Sequence, residues 1–320
     1  MHSPRFWRTI MPRLALIALL LTLSSSGTAA AAPVPAASPV RLSPAKADTL
    51  TRAILKDRAD TEEWLKSNGT SYLATVQRVD FGAKQTLTVG RDPDNHVCIP
   101  SPNISPHHLV VSVSGDSFHV AAVDPGATFT VRGQTLTRAT VGPSGIGIGG
   151  FTVRLSHQRF PAIIVFDPKS PNYAHYKGLK WFPVDLSYRY QLPLTPNPRP
   201  DTTIILSTRG NRRRAVRVGW FDFLVGKTRC RLEATRLLEP GVGENDISVF
   251  FRDGTTAKES YPTGRYLDPV QQPEGRYLLD LNLCYNPACA VSEHYNCPIP
   301  PRANVLKVSI RAGEMDSHYH

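Results

Sequence analysis

No apolar run among these 320 residues approaches the ~20 needed by a membrane-crossing helix; the longest, residues 14–23, is about ten residues long. The run is too short for an ordinary membrane-crossing helix. The chain also lacks a Gly-x-Ser-x-Gly elbow, a His-Glu-x-x-His pair and a phosphate-binding P-loop. Those absences remove the common hydrolase, zinc-protease and nucleotide-hydrolysing signatures. Internal repeats and heptads are missing too. Ten histidines are present, none in a recognisable metal spacing, and no metal or cofactor is expected. Cysteine is scarce at five, and the count is odd, so at least one thiol is left over if the others pair.

Hydrophobic residues make up 41% and charged residues 20%, a globular composition. The 28 prolines and 22 glycines are scattered as turn punctuation, which favours short strands over long helices. Arg5, Arg8 and Arg13 precede the apolar run, and the small residues 29–32 follow it. This layout reads as a secretory signal peptide over residues 1–32, with a retained anchor as the alternative. Export, to a periplasm or the medium, follows as the expected localisation, with residues 33–42 as a mobile leader. Lys and Arg outnumber Asp and Glu by 37 to 26, for a formal charge of +11. Such an excess favours anionic partners. For an exported chain these are envelope components or small polar ligands rather than nucleic acid. Part of the excess, Arg209, Arg212, Arg213, Arg214 and Arg217, reads as a solvated hairpin loop.

Residues 43–69 form the one convincing helical stretch. Ser43 is placed to cap it, Pro44 suits its first turn, and Leu50, Ile54, Leu55, Trp64 and Leu65 recur at helical spacing. Beyond residue 70 the apolar period is closer to two. Strands are expected at residues 86–89, 109–113, 118–122, 129–131, 151–155 and 162–166. A turn cluster at 167–171 separates these from a second β-rich run over residues 172–314, which includes a hairpin about Gly226; residues 315–320 read as a tail. The expected fold is mostly β: a helix, a small sandwich over 70–166, and a second antiparallel barrel or sandwich module.

Gly90-Arg91, Ser105-Pro-His-His108, residues 128–133 and Gly147-Ile-Gly149 together resemble a forkhead-associated domain over residues 87–155. That resemblance implies phosphothreonine contacts by Arg91 and Ser105, with His108 buttressing the loop. Pro106 stands where the family usually has Arg. A retained scaffold is the leading expectation, with a degenerate phosphopeptide reader as the alternative. The run Gly145-x-Gly-x-Gly149-Gly150 lacks a nucleotide-loop context and reads as a turn.

The stretch from Phe251 to Leu267, with Asp280-Leu-Asn282, Tyr285-Asn-Pro-Ala-Cys289, Asn296-Cys-Pro298, Asn304 and Arg311-Ala-Gly-Glu314, closely resembles the bacterial family called domain of unknown function 1684. The similarity names a family without implying an activity. Strand alternation puts Asp253 on the apolar side of Ile247, Val249 and Phe251, where a carboxylate needs a partner. Lys258, Arg265 and Arg252 are candidate partners. Asp253, Lys258, Glu259, Tyr261, Arg265 and Asn286 are accordingly the candidate ligand-binding residues. They either form a structural ion-pair network, the preferred reading, or line the cleft of an extracytoplasmic hydrolase, with Asp253 or Glu259 as base and Arg265 holding an anion. Cys289 and Cys297 are spaced for a disulfide; the rival is a zinc site with Cys284 and His294, whose spacing is not a standard one. The expected function is non-catalytic binding or structure in the cell envelope.

Overall fold

The computed structural model describes residues 37–319; the expected signal peptide lies outside the described residues. Helix α1 (Pro44–Ser67) buries Ile54, Arg58 and Leu65, a stripe at intervals of four and seven. The stripe differs from the expected one, because Leu55 is exposed and a cation takes its place at the interface. Arg58 Nη1 donates to the Phe182 carbonyl at 2.9 Å, and its guanidinium lies 4.9 Å from the Trp181 ring centre. Ser43 occupies the N-cap but makes no side-chain capping bond.

Eleven strands follow. The first are β1 (Thr75–Asp80), β2 (Thr86–Gly90), β3 (Val97–Cys98), β4 (Leu109–Ser114) and β5 (Ser117–Ala122). Next come β6 (Phe129–Val131), β7 (Gln134–Leu136), β8 (Arg138–Val141), β9 (Ser144–Ile148), β10 (Phe151–His157) and β11 (Pro161–Phe166). They make two sheets, ordered β1-β11-β10-β9-β6-β7 and β3-β2-β4-β5-β8. Only the short β2–β3 pair is parallel. Leu87, Val89, Leu109, Val111, Phe118 and Val120 face Val153, Leu155, Ile163 and Val165 in one core, as period-two burial requires. The glycine run expected to be a turn contains strand β9. Its glycines serve close approach: a Cβ on Gly147 would fall 2.5 Å from Thr130 Oγ1.

After a short helix α2 (Asn172–His175), the second module contains β12 (Arg189–Pro193), β13 (Thr195–Pro196), β14 (Thr202–Leu206), β15 (Arg212–Val225) and β16 (Thr228–Leu237). It closes with β17 (Val249–Phe251), β18 (Arg265–Leu267), β19 (Val270–Gln271) and β20 (Arg276–Asp280). The long β15–β16 hairpin turns at Gly226 and forms the spine, with β13 and β14 on its other edge. Tyr190, Phe221, Phe223, Leu232, Val249, Phe251, Leu279 and Ile310 fill its core.

Three expectations are corrected here. Most of the arginine run is strand, not loop: Arg213 is buried on β15, where Nη1 meets Glu239 Oε1 at 2.6 Å and Nη2 meets Gln158 Oε1 at 3.0 Å. The described part of the leader is tied down, since Leu224 donates to the Ala37 carbonyl and Val40 to that of Arg189. The tail packs as well: Met315 donates to Lys180 O, and the Tyr319 ring stacks on Tyr176. Backbone hydrogen bonds explain both, because an extended end beside a sheet edge satisfies donors that water would otherwise have to satisfy.

Gly90 ends β2 where two loops cross, and a Cβ there would sit 2.1 Å from the Pro106 carbonyl oxygen. Gly90→Ala is expected to cost about 1–3 kcal/mol in urea unfolding, whereas Gly142→Ala, whose Cβ meets nothing within 4 Å, should stay within about 0.5 kcal/mol.

Candidate functional site

Asp253 lies just past β17, and Arg265 opens β18 opposite Phe251, so the hairpin register brings the two side chains together. Arg265 Nη2 stands 3.2 Å from Asp253 Oδ2, with both side chains almost fully buried. Oδ2 also accepts from the Ile310 N–H at 2.6 Å, and Oδ1 accepts from the hydroxyls of Thr255 at 2.8 Å and Thr256 at 3.2 Å. The guanidinium donates further to the carbonyls of Ile310, Ala312 and Glu314. Phe251 and Phe182 lie against it, their ring centres 5.4 and 5.6 Å away. No face of this pair is open to a substrate. Its hydrogen-bonding capacity is spent inside the protein, and the C-terminal segment 310–314 is what it binds.

The other candidate residues go elsewhere. Lys258 is exposed, beside Ala257 in a left-handed turn. Glu259 Oε1 pairs with Arg311 at the surface, 3.2 Å from Nη2. Tyr261 donates to the Cys289 carbonyl at 3.2 Å. Asn286 is held by Glu314: its backbone N–H reaches Oε2 at 2.9 Å and its amide reaches Oε1 at 3.0 Å. Glu314 is the partner that sequence reasoning missed, although it sits in the Arg311-Ala-Gly-Glu314 motif; only the fold brings it to Asn286. The structure thus joins Asp253 to Arg265 and Asn286 to Glu314, and leaves Lys258 and Glu259 outside that cluster.

The expected Cys289–Cys297 disulfide is not formed. Their side chains instead interact with each other as thiols. The interaction with Cys297 lowers the Cys289 pKa despite burial, while burial itself pushes Cys297 well above the usual thiol range.

In the first module, Arg91 follows β2 and donates its backbone N–H to the Ser105 carbonyl at 2.9 Å, so the two loops run side by side. Arg91 is exposed and Ser105 half-buried. His108 is buried between them and the next loop: Nδ1 accepts from Ser105 N–H at 3.1 Å, and Nε2 faces the Thr128 carbonyl at 2.8 Å. With a fixed donor on one side and a fixed acceptor on the other, the ring proton belongs on Nε2. Asn95 ties the same loops by donating to the carbonyls of Pro106 and Asp92. Asp92 lies 3.7 Å from the Arg91 guanidinium, a carboxylate that any anionic ligand has to displace or tolerate.

Residues 174–315 match the family described as Protein of unknown function (DUF1684), and residues 87–145 match the FHA domain. The chain belongs to the DUF1684 family and carries an FHA-like module. All four members of the buried cluster fall within the DUF1684 segment. Among solved structures, it is similar to the solution NMR structure of an uncharacterized protein from gene locus rrnAC0354 of Haloarcula marismortui. That match has 30% identity over 48% of this chain and 85% of the other, with a TM-score of 0.39. Another is Mycobacterium tuberculosis EmbR in complex with a low affinity phosphopeptide, at 16% identity over 38% of this chain and 29% of that one, with a TM-score of 0.21. No curated protein matches.

Arg265→Ala would leave Asp253 buried without its cation. It is expected to cost about 3–5 kcal/mol by chemical denaturation, against less than about 0.5 kcal/mol for the exposed Lys258→Ala.

Proposed function

We propose that this protein is an exported, non-catalytic binding protein in which the FHA-like loops read a phosphorylated threonine peptide and the DUF1684 module is a rigid base. The observation that carries the reading is the pairing of the Arg91 and Ser105 loops, bonded backbone to backbone and pinned by His108. An exposed guanidinium, with a serine hydroxyl on the adjoining loop, offers the kinds of donor that a phosphate dianion needs. Binding is weak in this reading, because Asp92 already faces Arg91 and repels the incoming charge. The enzyme alternative loses support, since Asp253 and Arg265 are closed off and engaged with each other.

Fluorescence anisotropy with a labelled phosphothreonine peptide tests it. The phosphorylated peptide should bind at least tenfold more tightly than its unphosphorylated twin, and Arg91→Ala should remove the difference. Equal binding of the two peptides sinks the proposal. Export predicts separately that the chain recovered outside the cytoplasm of an expressing cell begins at residue 33 by intact mass.

A further inference from the structure

Where the two modules meet, the turns of two hairpins face each other across a cleft. One is the β10–β11 turn with Arg159, Phe160 and Pro161; the other is the β14–β15 turn with Thr208, Arg209 and Asn211. Asp80 and Gly82, at the end of β1, complete the lining, and the cleft measures about 460 Å³. That is the size of a small-molecule site, at the kind of junction where such sites form.

Its charges are built in layers. Arg78, almost fully buried beneath the cleft, holds Asp80 Oδ1 through Nε at 2.9 Å and Nη2 at 2.7 Å. Arg209 Nη2 takes Oδ2 of the same carboxylate at 3.1 Å. Burial alone would raise the Asp80 pKa, but Arg78 and Arg209 outweigh it and hold the carboxyl below its usual range. Arg159 stands on the opposite wall with Nη1 on Asp116 at 2.7 Å. It occupies the left-handed region at φ 61°, a costly conformation for a residue with a side chain. Two guanidiniums and one carboxylate therefore line the cleft, with Arg78 beneath Asp80 and Asp116 behind Arg159. Arg209 Nη1 also donates to the Glu293 carbonyl at 3.5 Å, yet Arg159 and Arg209 each retain N–H groups beyond these bonds, because a guanidinium carries five. The Asn211 side-chain amide makes no hydrogen bond among the described residues and adds both a donor and an acceptor. Phe160 and Pro161 supply an apolar face.

We propose that this cleft is a binding site for an acidic monosaccharide unit, a sugar ring bearing a carboxylate or a phosphate. The anionic group is taken by Arg159 and Arg209, whose planar forks match its oxygens. Hydroxyls of the ring bond to the Asn211 amide and the Asp80 carboxylate, and the C–H face of the ring lies on Phe160. The site is separate from the loops carrying Arg91 and Ser105, and each can fail without the other.

Isothermal titration of the full chain with glucuronate, glucose 6-phosphate, glucose and inorganic phosphate decides it. Glucuronate or glucose 6-phosphate should bind at least tenfold more tightly than both glucose and phosphate; which of the two wins identifies the anionic group. Arg159→Gln with Arg209→Gln should weaken that binding at least tenfold, and Asn211→Ala should weaken it while keeping the wild-type melting temperature. Arg91→Ala should leave it unchanged. Equal affinity for phosphate alone would mean a general anion patch and overturn the assignment. So would undetectable binding of both acidic sugars, or retention of their affinity in the Asn211→Ala and double-Gln variants.

Discussion

Arg265 is lodged between two aromatic rings with almost no exposure, so water cannot solvate its charge and the fold has to meet it from within. Leaving such a group unpaired costs several kcal/mol, which makes the positions of its acceptors a condition of folding rather than a consequence. Asp253 meets the charge from the neighbouring hairpin strand. The carbonyls of Ile310, Ala312 and Glu314 meet the remaining N–H groups, and those belong to a segment with no regular secondary structure. The C-terminal chain is thus held in an irregular path by a cation. Gly313 fits that path with φ at 81° and its Cα packed so closely on Cys284 that a Cβ would lie 2.7 Å from the Cys284 carbonyl oxygen.

From this centre the same device spreads outward. Glu314, positioned by the path around Arg265, holds Asn286 at both its backbone and its amide. Arg58 of α1 reaches the carbonyls of Phe182 and Asn282, so the helix is fastened to the DUF1684 module by a second buried cation beside its apolar stripe. Arg213 bridges from β15 to Gln158 of the first module, and Arg78 reaches from β1 to the His294 carbonyl. Buried guanidiniums on carbonyl acceptors fix direction as well as distance, which greasy contact alone does not.

How much of this could be read beforehand depends on the range of the interaction. The helix, the Gly226 hairpin and most sandwich strands are written in local periodicity, and they fell within a residue or two of the expected positions. The apolar side of β17 also pointed to Asp253 as a carboxylate needing a partner, because alternation is a local rule. Its remaining partners could not be read that way: Ile310 lies far along the chain, and nothing local connects it to Asp253. The arginine run shows the opposite failure. Counted as charge, Arg213 looks like solvent-facing loop, yet strand alternation sends it inward to a carboxylate, Glu239, that follows β16. Charge density carries no side, whereas register does.

The same distinction governs what the basic character of the chain means. An excess of positive charge draws anions only through groups whose donors are not already spent, and most of the arginines described above are spent. Arg58, Arg78, Arg213 and Arg265 are buried and committed to carbonyls and carboxylates, so they contribute rigidity and little affinity for a partner. Arg91 and Arg159 differ: each is exposed and pairs with one nearby carboxylate, and Arg159 shares its cleft with Asn211. Arg209, fixed by Asp80 yet still lining open space, is intermediate. Two places, one on the first module and one where the modules meet, thus combine an available guanidinium with a scaffold stiff enough to hold it. Preorganised donors of that kind bind anions at lower entropic cost than mobile surface lysines do. In the proposed reading, recognition is accordingly a property of a few unspent arginines, and the buried ones keep those few in place.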